Sequence, residues 1–298
     1  MKPVALVALT CVVIVSCATE LSRNELADEY VNIGNAYLDL DEPERAAEYF
    51  VRAADLNPDL PVASFNLARA WLEVDRVAAA IDLLEELADE DPENTLLLRT
   101  LGVAHYRAGN VSGARGAFKA ALEENERDAD SLYNLGVIEA DEGNYDDAVA
   151  YLERAHRFDD GEDIARELGL ALFALGRNEE AGELLSDLPD IDEDATVLRA
   201  LGAISVRGEA YGEAVEWYER AAEADRDDPQ ARFELARIRL VYIEEREEGI
   251  ADLRAAFDRD FEDEDAINAL LAGLEGETLD LVEGVLIDEG ALPDGDDL

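Results

Sequence analysis

The residues best suited to chemistry in this 298-residue chain are its charged ones: 73 aspartates and glutamates, 25 lysines and arginines, and two histidines. Carboxylate pairs could serve general acid–base catalysis, but at this density they occur everywhere and single out no site. His105 and His156 lie far apart in the sequence. The run Asp190-Ile191-Asp192-Glu193-Asp194 opens like a calcium loop, yet Ala195 stands where such a loop needs glycine and Leu201 where it needs glutamate. The sequence contains no G-x-S-x-G, Walker loop, H-E-x-x-H or glycine-rich dinucleotide turn. Both cysteines, Cys11 and Cys17, fall near the N-terminus, so the chain beyond them has no disulfide and no cysteine-based metal site. These observations describe a chain that is not an enzyme, with no catalytic residue, metal or cofactor to assign. Its chemistry is that of recognition.

The net charge of −48 narrows what is recognised. Phosphate backbones need a positive footprint, which excludes nucleic acid as a bulk ligand, and anionic lipid is disfavoured for the same reason. Only Lys2 and Lys119 are lysines; the other basic residues are arginine. Sparse lysine amid abundant Asp and Glu resembles proteins of salt-loving organisms, where ionic strength screens self-repulsion. The acids also serve simply to solvate helix faces. Stability is expected to fall in low salt.

The elements that must position these residues repeat. Residues 27–60 form a unit of 34 that recurs, degraded but in register, over 61–94, 95–128, 129–161, 162–194, 195–228 and 229–263. Position eight is Gly34, Ala68, Gly102, Gly136, Gly169, Gly202 and Ala236, and position twenty is Ala46, Ala80, Ala114, Ala148, Ala181, Ala214 and Gly249. Small residues at a fixed period mark helices that cross closely. Tyr30, Ile33-Gly34, Tyr37, Ala46, Phe50 and Pro58 follow the pattern W-x-x-L-G-x-x-Y, A-x-x-x-F, P, so the unit resembles the tetratricopeptide repeat. The resemblance implies an all-α, right-handed superhelical solenoid of about seven helix pairs. Apolar stripes at Ile267, Leu270, Leu271, Leu274 and at Leu279, Val282, Val285, Leu286 then make residues 264–291 a capping helix pair, followed by an acidic tail at 292–298. In the seventh unit Val241-Tyr242-Ile243-Glu244 replaces the usual glycine turn.

Residues 1–16 read as a signal peptide: Lys2 precedes an apolar run, Val4 to Val15, too short to span a bilayer. Ile14-Val15-Ser16-Cys17 resembles a bacterial lipobox, which makes Cys17 the lipidated first residue of the mature protein and 17–26 a tether. Ala18 after the cysteine then implies the outer membrane. The competing site is ordinary cleavage after Ser16-Cys17-Ala18.

In the family the first helix of each repeat lines a concave groove through positions two, five, six, nine, twelve and thirteen. The resemblance places Asn32, Asn66 and Asn134 at position six, as in members that hold an extended peptide by its backbone. It also matches Asn35 and Asn66 to the carboxylate clamp of the chaperone-adaptor branch, but Val31, Leu96 and Thr100 stand where that clamp has cations. At positions five, nine, twelve and thirteen, Arg69, Arg99, Arg107, Arg166, Arg199, Arg207 and Arg237 face only Asp39, Glu73 and Asp141. Phe65, Tyr106, Tyr133, Phe173 and Phe233 are interleaved with them. Arginine and aromatic residues dominate binding hot spots. Two readings stay open: a cationic groove for an acidic or extended segment of a partner protein, or arginines paired with acids of neighbouring helices in a neutral wall.

The expectation is a protein-interaction scaffold, lipid-anchored in the bacterial cell envelope. The alternatives are a secreted or periplasmic spacer without a peptide ligand, or an accessory factor of outer-membrane, secretin or pilus assembly. The sequence leaves the partner and the oligomeric state open.

Overall fold

The computed structural model describes residues 22–292, all helices and turns; the expected signal peptide, Cys17 and residues 293–298 lie outside them. No helix among the described residues is long and apolar enough to cross a membrane. The chain divides into two compact units, Met1–Asn134 and Leu135–Leu298, with the division inside one helix.

The first unit holds α1 (Arg23–Leu38), α2 (Pro43–Leu56), α3 (Pro61–Glu73), α4 (Val77–Glu90), α5 (Thr95–Arg107), α6 (Val111–Glu124) and the start of α7 (Ala129–Asp141). Helix α1 begins four residues ahead of the first repeat because Ser22 and Glu25 close a capping box over its free N–H groups. Proline at the first turn starts α2 and α3, where its missing N–H would go unpaired anyway. Asn94 and Asn110 cap α5 and α6 by accepting the amides of Leu97 and Gly113.

The second unit continues α7 and adds α8 (Tyr145–Phe158), α9 (Glu162–Ala174), α10 (Asn178–Ser186), α11 (Ala195–Arg207), α12 (Tyr211–Ala224), α13 (Pro229–Val241), α14 (Arg246–Phe257), α15 (Glu264–Ala272) and α16 (Gly276–Asp288). The array is therefore seven helix pairs closed by a shorter pair. Helix α10 is only nine residues long, because Pro189 disfavours helix at the residue before it. The chain instead passes through a left-handed Asp190 (φ 51°) and a 3-10 turn at Ile191–Glu193. The acidic run that opens like a calcium loop is spent here: Asp194 caps α11, and Asp192 pairs with Arg220.

Each pair is locked where its helices cross. A Cβ added at Gly34 would lie 2.5 Å from Phe50, at Gly102 2.6 Å from Phe118, and at Gly202 2.7 Å from Tyr218. The same geometry recurs as Gly136 against Leu152 and Gly169 against Leu185. Position eight thus carries nothing larger than a methyl because position twenty-four, buried in every pair, fills the space. The six alanines at position twenty, from Ala46 to Ala214, are fully buried. At the C-terminus, α15 and α16 supply Ile267, Leu270, Val282, Val285 and Leu286 to a core shared with Phe233 and Leu253. These residues cover the apolar face that the last full pair would otherwise leave open.

Candidate functional site

The groove candidates sit on the first helices α1, α3, α5, α7, α9, α11 and α13, and their surroundings separate them sharply. Four of the seven arginines are ion-paired. Arg99 on α5 reaches Asp128 at 3.1 Å and also pairs with Asp130. Arg166 on α9 holds Asp194 at 2.5 Å and pairs with its neighbour Glu167. Arg199 on α11 meets Asp228 at 3.2 Å, and Arg237 on α13 pairs with Glu234 at 2.5 Å.

Three of these pairs are one device repeated. Asp128, Asp194 and Asp228 each stand directly before the next first helix and accept its leading amides: Ser131, then Thr196 and Val197, then Gln230. The arginine at position five therefore clamps the N-cap carboxylate of the following repeat. Where position five is Val31, Phe65 or Tyr133, the corresponding cap residue is Leu60, Asn94 or Gly161, and the clamp is absent. Asp194 carries the electrostatic mark of the device. Burial alone would raise its pKa, but the Arg166 guanidinium and the amides of Val197 and Thr196 hold it below the ordinary value.

The remaining arginines have no carboxylate partner among the described residues. Arg69 lies 6.0 Å from the Phe65 ring centre, Arg207 lies 4.5 Å over Phe173 and donates to Asn178 at 2.7 Å, and Arg107 is exposed. The asparagines are largely occupied with the protein itself. Asn66 is buried and donates to Asn35 at 2.9 Å, Asn134 donates to the Asp130 carbonyl at 2.7 Å, and Asn32 is exposed. Tyr106 and Tyr133 are half-buried. One aromatic is corrected outright: Phe233 is fully buried and stacks on Phe261 at 4.1 Å, so it belongs to the C-terminal core and lines no groove. Its position-five slot faces inward there because the capping pair packs over it. His105, at position eleven, is mostly buried with Nδ1 3.2 Å from Asn110, a packing role.

What the structure does bring together is a cavity of about 430 Å³ in the second unit, bounded by α7, α9, α11 and α13. Its floor is apolar, with Leu170, Ala171, Phe173, Ala174, Ala200 and Ala203. Tyr145, Glu167, Thr196, Arg199, Gln230 and Glu234 supply the polar groups. Of the groove candidates only Phe173 and Arg199 line it. Glu167 and Glu234 sit at position six, the position that holds asparagine in the first, second and fourth repeats. Counting charge at position six together with positions five and nine would have shown that each glutamate neutralises the arginine beside it. No cluster of metal-ligating side chains forms among the described residues.

Helix pairs of fixed period, small residues at their crossings and recognition groups on the first-helix face define a repeat scaffold for protein–protein interaction. Tetratricopeptide-repeat models match residues 31–95, 99–163 and 139–204, together more than half of the chain, and the protein belongs to the tetratricopeptide repeat family. Among solved structures it is similar to YrrB, described as a tetratricopeptide protein with an unusual peptide-binding site (20% identity, TM-score 0.56, covering 62% of this chain and 96% of that one). It is also similar to a tetratricopeptide repeat protein from Parabacteroides merdae (14% identity, TM-score 0.56, 87% and 99%). A chain of the Cut9–Hcn1 assembly aligns at 19% identity and a TM-score of 0.60, covering 71% of this chain and 42% of that one. At these identities the likeness is one of fold. No curated protein matches the sequence.

Proposed function

We propose that the protein is a lipid-anchored scaffold of the bacterial cell envelope that holds an extended segment of a partner protein on the first-helix face of its repeats. The observation that carries this reading is the α7–α9–α11–α13 cavity. An apolar floor edged by a few polar groups is the usual form of a side-chain-binding pocket. The peptide-binding site named for YrrB supports a peptide as occupant. The anchor rests on Ile14-Val15-Ser16-Cys17, and the outer membrane on Ala18.

A photo-crosslinking amino acid placed at Ala174 or Ala203 in the cavity, and at Glu216 on the exposed side of α12, tests the groove in intact envelopes. Adducts to one linear segment of a partner are expected from the first two positions alone. Adducts from Glu216 only, or from none, would remove the groove. For the anchor, Cys17→Ala is expected to abolish labelling by radioactive palmitate and release the chain from the membrane fraction. Retention of the label would refute lipidation at that residue.

A further inference from the structure

In the later repeats the first helix packs on the second helix of the repeat before it. Leu67 on α3 shares a core with Phe50 and Ala53 on α2, and Leu101 on α5 does so with Leu84 and Leu87 on α4. Position seven is accordingly buried in every later repeat, from Leu67 to Leu235. On α1 the same position is Ile33, and it is 37% exposed. No second helix precedes α1 among the described residues, so a seam that the other repeats close stands open here.

The open seam has the form of a helix contact. Leu26, Tyr30, Ile33, Tyr37 and Leu40 follow at alternating intervals of four and three residues, the spacing of a helix–helix stripe. Leu40, in the turn that ends α1, is 66% exposed, and Leu26, Tyr30 and Tyr37 are half-buried. The tyrosines are already ordered: Tyr37 stacks on Tyr49 of α2 at 5.3 Å, Tyr30 lies 5.9 Å from the same ring, and Arg45 sits 4.0 Å over Tyr37. A partner would therefore freeze little side-chain motion. The cations beside these rings are paired within the chain, Arg45 with Glu42 and Arg52 with Glu48.

The order of the side chains identifies the occupant. Read from either end the stripe is Leu, Tyr, Ile, Tyr, Leu. A two-fold interface needs a surface complementary to itself, in which residue i meets j and j meets i. Antiparallel pairing centred on Ile33 sets Leu26 against Leu40, Tyr30 against Tyr37 and Ile33 against Ile33 of a second copy. Glu29, the exposed acid nearest Ile33, then stands about 12 Å along the axis from its own counterpart. That exceeds the Debye length of ~8 Å at physiological ionic strength, so the like charges are largely screened.

We propose that two copies of this chain pair through the N-terminal face, α1 against α1, about a two-fold axis at Ile33. The contact is separate from the groove and does not depend on it. Five stripe residues a side fall well below the about 20–30 of a standard interface, so the pairing is reversible.

The test uses two differently tagged full-length copies, one with Leu26→Cys and the other with Leu40→Cys, treated together in intact cells with a short bismaleimide. The parent chain, with Cys11 and Cys17 alone, is the control. An adduct joining residue 26 of one copy to residue 40 of the other is expected. Either variant expressed alone should give none, because like residues of an antiparallel pair lie about 21 Å apart along the axis. Ile33→Asp in both copies should lower the yield at least about tenfold, since it sets like charges face to face at the centre. Its exposed site tolerates the change, which circular dichroism of the purified chain verifies; the adduct pattern of the Leu26 and Leu40 variants decides the matter without it. Adducts between like residues, to another protein, or to Cys11 of the same chain would each overturn the proposal. So would the absence of any adduct, or a yield indifferent to Ile33→Asp.

Discussion

The arginine clamp on the helix caps is the part of this structure that most directly yields a number. Asp194 does two things: it accepts the amides of Thr196 and Val197 at 3.0 Å each, and it pairs with Arg166. Asparagine can do the first but not the second, and alanine can do neither. Loss of an N-cap costs about 1 kcal/mol. A partly exposed ion pair contributes up to ~1 kcal/mol, since its side chains are 33% and 28% exposed and screened by solvent. Asp194→Ala should therefore destabilise by about 2 kcal/mol and Asp194→Asn by at most ~1 kcal/mol. At 2–4 °C per kcal/mol for a chain of roughly this size, the midpoints fall by about 4–8 °C and 2–4 °C. Urea unfolding, with amide exchange across α11 as a local reporter, measures both. The pH dependence has a definite sign. Because the folded carboxyl is held below its ordinary value, its stabilisation is complete above that value and is lost as pH falls through the lower folded one. Wild type and Asp194→Asn should thus converge in acid. Equal losses for the asparagine and alanine variants would refute the capping half of the reasoning. An asparagine variant as stable as wild type at neutral pH would refute the pairing half.

Gly34→Ala should cost about 1–3 kcal/mol by thermal melting, since its methyl would sit 2.5 Å from the fully buried Phe50 ring. Adding Phe50→Leu should recover much of this loss, because Ala68 already shares a core with Leu84 one repeat on. At Gly143, where φ is +78° and an added Cβ meets nothing within 4 Å, alanine should cost about 1 kcal/mol through the backbone alone. With a net charge of −48, the melting temperature should fall as salt is withdrawn; a flat profile from very low to molar salt would count against self-repulsion as a force in this fold.

The helix-pair fold was legible in the sequence because its determinant is steric and local. A glycine or alanine at position eight and a large side chain at position twenty-four must meet, and both recur at fixed spacing. The side chains of the site were harder to read. A long flexible arginine at position five has several carboxylates within reach, and which it takes depends on where the next helix starts. The tally that made Arg99, Arg166 and Arg199 look like groove cations left out their partners at the end of the repeat, Asp128, Asp194 and Asp228. Phe233 misled for a different reason. The same register position faces open space in the middle of an array but core at its end, and only packing against Phe261 distinguishes the two.

Acidity has also entered the backbone of this chain. The tight turn inside a repeat needs a residue of positive φ, and Gly109, Gly143 and Gly176 meet that need without strain. The corresponding turns elsewhere use Asp41, Asp75, Glu209 and Glu244, with φ between 57° and 59°. Aspartate tolerates this region because its short side chain can bond nearby backbone, but glutamate has no such compensation, and each such residue carries a penalty of roughly 1–2 kcal/mol. A turn at which glycine would serve better, filled by an acid four times, indicates that negative charge is favoured at the expense of local stability.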